Sequence, residues 1–227
     1  MRALRDTVSN ALLGAGLQFD PKSTAYRESG NASRYTLYRL PYAPIAAVGQ
    51  GSLRPEIRIE TAVWPLRRPA IERPVISFIA EAFKHPPEVP AIHCASLVEI
   101  VAEKFVALTR RVGTELADAG GPRDSTLVRH VHDLHVIRAH YDPDDVIALA
   151  RTIMLADVEA YGHQFPAYRE NPIIETLRAV AGLAADAEFA ERYGTFLRDM
   201  VYDEGPEFET AMATIAALAG RLESISG

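Results

Sequence analysis

The hydrophobic pattern of this chain changes period near residue 90, and that change limits the folds it can adopt. Between residues 33 and 80, apolar residues alternate with polar ones, as they do on half-buried strands. From residue 96 to residue 224 they recur at about 3.6 residues, as on amphipathic helices. Prolines 86, 87 and 90 lie at the transition. The pattern predicts an α+β protein, with a small mixed or antiparallel sheet followed by a helical C-terminal portion.

The same pattern suggests a division into residues 1–90, which contain the strands, and residues 91–227, which form the helical portion. Strands are expected at 33–40, 56–64 and 73–79. Helices are expected at 2–13, 96–112, 124–140, 144–158, 173–184, 186–199 and 206–224. Ser96 with Glu99 three residues later predicts a capping box at the start of the second of these helices.

One lysine stands on the apolar face of the helix expected at 96–112. At about 100° per residue, Lys104 lies within about 60° of Val101 and about 40° of Leu108. A lysine in that position must extend to solvent, pair with an anion or line a cleft. A lysine at a cleft wall can neutralise a phosphate, so Lys104 is a candidate site residue.

The next helix contains an aspartate and three histidines. Val131 and Leu134 define its buried face, and Asp133 lies on the flank, where Arg129 four residues earlier can pair with it. Histidines 130, 132 and 135 do not have the i,i+4 spacing of a helical zinc pair. We therefore expect the histidines to occupy ordinary, partly exposed positions.

A third candidate is the row Glu56, Arg58 and Glu60, which alternation places on one face of a strand, opposite Ile57 and Ile59. A strand carboxylate can hold a divalent metal or act as a base. It can equally be a plain solvent-facing residue. The isoleucines predict that their own face points inward.

Composition excludes several classes of protein. The formal net charge of −6 gives no global attraction for nucleic acid, although clustered arginines can still form a basic cleft. The single cysteine, Cys94, cannot form an internal disulfide, which favours a reducing compartment. No apolar run approaches the roughly 18 residues of a membrane span, and the N-terminus lacks the apolar segment of a signal peptide. These features predict a cytoplasmic protein with no membrane association.

Three segments taken together resemble one family. They are I-R-I-E at 57–60, S-L-V-E-I-V-A-E-K-F-V-A-L-T-R-R at 96–111 and L-V-R-H-V-H-D-L-H-V-I at 127–137. This combination resembles the AbiEii/AbiGii-type nucleotidyltransferase toxins, the enzymatic half of a bacterial toxin–antitoxin and phage-defence system. The resemblance covers roughly residues 1–140 and continues more weakly through the later helices.

The resemblance implies a polymerase-β-like nucleotidyltransferase core that binds a nucleoside triphosphate with Mg²⁺. It also implies transfer of the nucleotide to a tRNA or protein acceptor, and an antitoxin protein as partner. By resemblance, Lys104 matches the essential lysine, Asp133 the late essential aspartate and Glu60 a strand acid that contributes to the metal site. We expect Lys104 and Asp133 to open onto one cleft. The substrate-binding arginines at its rim are expected to be Arg58, Arg110, Arg111 and Arg129.

The chain departs from the family pattern in one respect. It has no Gly-Gly or Gly-Ser turn followed by the Asp-x-Asp pair that binds the metal in the family. We therefore expect these residues to belong to a shortened product or to a relative without catalysis, with weak triphosphate binding and no transfer. The alternatives are a non-catalytic binding module for a partner protein or RNA, and an unrelated α+β protein whose lysine extends to solvent.

Overall fold

The computed structural model describes residues 2–30, 34–44, 55–118, 120–121 and 123–224. The chain divides into two compact units, Met1–Pro65 and Leu66–Gly227. Small antiparallel sheets and a mostly helical C-terminal part confirm the α+β prediction. The segment 66–90, which the pattern placed with the strands, is part of the second compact unit. The division into residues 1–90, as the strand-containing part of a nucleotidyltransferase-like core, and residues 91–227, as the helical portion, stays a prediction.

The first unit combines one helix with an antiparallel sheet. Its elements are α1 (Arg2–Gly14), β1 (Arg27–Gly30), β2 (Tyr35–Pro41) and β3 (Glu56–Ala62), and the strand order is β1-β2-β3. Tyr38 on the central strand is fully buried, and its hydroxyl donates a hydrogen bond to the Arg5 carbonyl at 3.1 Å. This bond holds α1 against one face of the sheet.

The register of β3 confirms the predicted alternation. Ile59 stands opposite Tyr38, whereas Arg58 and Glu60 stand opposite residues that point to the other face. The prediction that the isoleucines point inward is only partly correct. Ile59 is half-buried, but Ile57 is 47% exposed, because β3 is an outer strand of the sheet.

The second unit begins with a two-stranded antiparallel sheet and continues with helices. The sheet is formed by β4 (Ile71–Val75) and β5 (Val89–Cys94), which flank the short helix α2 (Phe78–Ala82). The later helices are α3 (Leu97–Ala117), α4 (Val128–Val136), α5 (Pro143–Tyr161), α6 (Pro166–Glu170), α7 (Pro172–Ala184), α8 (Ala187–Met200) and α9 (Phe208–Ser224), with a 3₁₀ turn at Arg138–His140. None of the helices in the described part of the chain is long and apolar enough to cross a membrane.

Several predicted boundaries in this unit were wrong. The strand expected at 73–79 ends at Val75, because Ser77 accepts a hydrogen bond from the Ala80 amide and starts α2. Strand β5 was not predicted, since prolines weaken a strand pattern; Pro90 is tolerated because the sheet has only edge strands. Strand β1 and helix α6 were also missed. The helix expected at 124–140 starts at Val128, after a turn, and ends at Val136.

The core of the second unit forms around α3. This helix packs against α5 and α7, while α4 packs against α9 and α8. The fully buried side chains include Phe105, Leu108, Leu134, Ile147 and Ile215. Because the predicted apolar faces of α3 and α4 both turn into this core, residues on the flanks of the two helices come close together.

Candidate functional site

Helix α3 carries Lys104 and is anchored at its start by two buried contacts. Ser96 accepts a hydrogen bond from the Glu99 amide at 3.2 Å, as predicted. The Glu99 carboxylate does not close a capping box. It is 3% exposed and accepts hydrogen bonds from the amides of Arg67 and Arg68 at 2.7 and 3.1 Å. The first turn of α3 is thus tied to the segment that precedes β4.

The lysine on the apolar face pairs with an anion. Val101 and Leu108, one turn on either side of Lys104, are fully buried. The side chain of Lys104 keeps 28% of its exposure, and its Nζ donates a hydrogen bond to Oδ2 of Asp133 at 2.7 Å. Of the three outcomes open to a lysine in this position, the structure shows pairing with a carboxylate from the next helix.

Asp133 lies on the flank of α4, as the sequence predicted. Its neighbours Val131 and Leu134 are fully buried, whereas its own side chain is 41% exposed. Oδ1 lies 3.6 Å from Nδ1 of His132. Within the described residues, Asp133 pairs with Lys104 and not with Arg129, which is exposed. The lysine and the aspartate therefore come together although the helices that carry them are separated by a loop.

That loop is held by Arg111 and Asp124. The guanidinium of Arg111 pairs with the Asp124 carboxylate, and the Asp124 amide donates a hydrogen bond to Oε1 of Glu115 at 2.7 Å. Asp124 also accepts a hydrogen bond from the Thr126 amide at 2.8 Å. Arg111 lies only about 20° from Lys104 around α3, so it is near the pair, but its guanidinium is engaged in fixing the approach to α4.

Arg110 takes a different direction. It lies about 120° from Lys104 around α3. Its Nε donates to Oδ2 of Asp157 on α5 at 2.6 Å, and its guanidinium lies 4.2 Å from the centre of the Tyr161 ring. Both partners of this ion pair are largely buried, at 15% and 12% side-chain exposure. Burial raises the pKa of Asp157, and Arg110 opposes that effect. The structure therefore gives Arg110 a bonding partner away from the Lys104–Asp133 pair.

His130 is a member of this neighbourhood that sequence reasoning missed. It lies one turn before Asp133 on α4. Its pKa is lowered to about 4, first by burial and then by the charges of Lys104, Arg111 and Arg129, which outweigh that of Asp133. Its Nδ1 is buried and has no hydrogen-bond partner in the described part of the chain. The H-x-x-D spacing on one flank of α4 is the sequence signal for this position, whereas the spacing of the three histidines bears only on metal binding.

The other two histidines of α4 contact side chains of neighbouring helices. His135 is buried, at 7% exposure, and its Nδ1 is 2.8 Å from the Thr214 hydroxyl of α9, so the expectation of a partly exposed position was wrong for this residue. The His132 ring meets the Phe196 ring edge to face, with centroids 5.4 Å apart. These contacts belong to the packing of α4 against α8 and α9.

The strand row lies in the first unit. Nε of Arg58 donates to Oε1 of Glu56 at 2.5 Å on the same strand. Glu60 interacts with Tyr35 of β2: burial raises the pKa of the Tyr35 hydroxyl, and the charge and hydrogen bond of Glu60 raise it further. A cleft shared by Arg58, Glu60 and Lys104 stays a prediction.

The described residues do not fit a dedicated metal site. They contain no group of three or more histidine, cysteine, aspartate or glutamate side chains that could hold a metal ion. Asp133 already has an ammonium against one oxygen. An Asp-x-Asp spacing does occur at Asp142 and Asp144. Asp142 is the N-cap of α5, and its side chain accepts a hydrogen bond from the Asp144 amide. The Asp144 carboxylate pairs with Arg221. A Mg²⁺ site formed by Glu60 stays a prediction.

We name Lys104, Arg129, His130 and Asp133 the α3–α4 site. Residues 1–214 match the family model described as nucleotidyl transferase AbiEii toxin of a type IV toxin–antitoxin system. The chain belongs to this family. The match confirms the resemblance seen in the three sequence segments. No curated protein and no solved structure matches the chain. Membership establishes a role of the toxin–antitoxin nucleotidyltransferase type.

Proposed function

We propose that the α3–α4 site of this AbiEii-family protein binds the phosphates of a nucleoside triphosphate and, where the Asp-x-Asp pair of the family is also supplied, supports transfer of the nucleotide to an acceptor. The observation that carries the proposal is the bond between Lys104 and Asp133 at 2.7 Å, formed at the exposed flank of two core helices. A lysine that emerges from a buried face has little freedom to move, so its charge is preorganised for an incoming anion. The exposed cation of Arg129, on the same helix as Asp133, adds to the attraction.

The ion pair also suggests a separate role for each of the two residues. While no anion is bound, Asp133 neutralises the half-buried ammonium of Lys104. A triphosphate competes for the ammonium, and the carboxylate of Asp133 is then available to accept a hydrogen bond from an attacking hydroxyl. In the transfer step, that hydroxyl oxygen bonds to the α-phosphorus, the bond to pyrophosphate breaks, and the hydroxyl proton passes to the Asp133 carboxylate. Charge neutralisation and positioning are the main contributions such a site makes to phosphoryl transfer.

The acceptor and the partner belong to the proposal as well. A hydroxyl of tRNA or of a protein is the acceptor class that the family resemblance implies, and an antitoxin protein is the implied partner. The Mg²⁺ that accompanies a triphosphate would enter with it as part of the substrate. We also place the protein in the cytoplasm, in a bacterial phage-defence role.

The test separates binding from transfer. The purified chain is incubated with each labelled triphosphate, Mg²⁺ or Mn²⁺ and total bacterial tRNA, and label is sought in RNA and in the protein, while triphosphate affinity is measured by calorimetry. The Lys104→Met variant removes the charge but retains the stem, Lys104→Arg retains a charge, and Lys22→Met is the control at an exposed lysine of the first unit. Loss of binding in Lys104→Met alone supports the proposal.

Two other outcomes have distinct meanings. Binding without any transfer would support the alternative of a non-catalytic binding module, in agreement with the absent Gly-Ser and Asp-x-Asp motif. Equal triphosphate affinity in the wild type, Lys104→Met and Lys22→Met would refute the α3–α4 site as the phosphate site.

A further inference from the structure

The imidazole of His130 has an unused hydrogen-bonding atom. Its Nδ1 is buried and without a hydrogen-bond partner among the described residues. Buried polar atoms in folded proteins are nearly always paired, so an unpaired one calls for an explanation. The position of the residue offers one: His130 and Asp133 are three residues apart and share one flank of α4.

The charged groups that act on this ring come from both helices of the site. Lys104 and Arg111 on α3 and Arg129 on α4 disfavour its protonation, and Asp133 on α4 favours it. Lys104 and Arg111 each have a carboxylate partner, whereas Arg129 is exposed. Cations thus outnumber anions around an uncharged ring, and an arriving anion would reverse that balance.

We propose that His130 is a further binding residue of the α3–α4 site, uncharged while no anion is bound and protonated once a polyphosphate lies against Lys104. The proton comes from solvent, and the imidazolium then has an N–H at both ring nitrogens, so that one of them donates a hydrogen bond to a phosphate oxygen. Polyphosphate binding therefore takes up a proton. The inference rests on the proposed function only for the position of the anion.

A purely structural role makes a different prediction. A histidine that merely fills space between α3 and α4 would make no bond to the anion and would sense only the weakened field of Lys104. Its pKa would then rise by less than about one pH unit, because burial is the larger cause of its low value. The protonation state of His130 in the presence of an anion therefore distinguishes the two roles.

The probe is inorganic tripolyphosphate, which carries the phosphates without a base or ribose. The full chain, labelled at its 7 histidines, is titrated by NMR with and without saturating tripolyphosphate. Without the probe, His130 should remain neutral to about pH 5, as its pKa of about 4 requires. With the probe, its titration midpoint should rise by about 2.5 pH units, since an adjacent anion that accepts a hydrogen bond from the ring favours the charged form. Assignment of the wild-type spectrum makes this measurement independent of any variant.

Affinity for tripolyphosphate gives a second readout. The quantity compared is the ratio of the wild-type affinity to the His130→Gln affinity at each pH, because protonation of the probe itself affects both proteins equally. It should be near one at about pH 8 and should grow to about tenfold at about pH 5.5, the size expected for one charge-assisted hydrogen bond. His140→Gln, at an exposed histidine of the 3₁₀ turn, is the matched control and should show no such change.

The outcomes separate the two proposals. If tripolyphosphate binds in a Lys104-dependent manner while His130 stays neutral and the affinity ratio is flat with pH, this inference is wrong and the phosphate site stands. If tripolyphosphate does not bind, or binds equally well to Lys104→Met, both proposals fail.

Discussion

The Lys104–Asp133 pair can be measured by a double-mutant cycle on stability. The variants are Lys104→Met, which retains the stem over the buried helix face, Asp133→Asn, and the two combined. The side chains are 28% and 41% exposed, and the bond is 2.7 Å long. Exposed ion pairs contribute about 0.2–1 kcal/mol, and breaking a fully buried pair costs about 3–5 kcal/mol. A half-buried pair with good geometry should therefore show a coupling energy of about 1–2 kcal/mol.

Unfolding in urea, followed by two probes, gives the required free energies. Far-ultraviolet circular dichroism reports mainly on the helices of the second unit. Fluorescence of Trp64, the single tryptophan of the chain, reports on the first unit. The Glu28–Arg39 pair of the first unit is the control cycle. Its glutamate is 60% exposed, so its coupling should not exceed about 0.5 kcal/mol.

A coupling energy below about 0.3 kcal/mol between Lys104 and Asp133 would lie within the scatter of additive sites. That result would mean that the ion pair makes no net contribution to the free energy of unfolding. The preorganised lysine on which the proposed phosphate site rests would then have no support.

Two further predictions concern pH and the anchor of α3. Because the folded-state pKa of His130, about 4, lies below its ordinary value of 6.5, the unfolded chain binds the extra proton between these values. Unfolding free energy should therefore fall as the pH drops through that window, by up to about 3 kcal/mol, and His130→Gln should remove this part of the slope in acid-unfolding curves. Glu99→Gln replaces one acceptor of a buried carboxylate by a donor that faces a backbone amide, and should lower the urea-unfolding free energy by about 2 kcal/mol. Glu209→Gln, in the exposed first turn of α9, should change it by less than about 0.5 kcal/mol, and equal effects would refute the anchoring role.

Local periodicity was enough to predict the elements on which the site is built. The alternation along β3 correctly placed Arg58 and Glu60 on the face opposite Ile59. The serine cap of α3 and the buried faces of α3 and α4 also followed from residues close together in the sequence. Lys104 stood out for the same reason, since a charge on an apolar stripe conflicts with its immediate neighbours.

Local patterns failed where two signals competed within a few residues. The apolar run after Arg73 predicts one strand, but the side chain of Ser77 caps the backbone and starts α2. Phe78 and Ile79 are then 89% and 72% exposed, which no apolar pattern predicts.

The partners of the charged side chains depend on segments that are distant in the sequence. Arg110 and Arg111 are adjacent, yet one binds Asp157 of α5 and the other binds Asp124 of the loop before α4. Helix periodicity turns the two arginines in different directions, but it carries no information on which carboxylate lies there. The protonation of His130 likewise depends on burial and on charges from two helices. Coulomb energies depend on distances in space, and packing around the core sets those distances. The ion pair between Lys104 and Asp133 could therefore be known only from the tertiary structure.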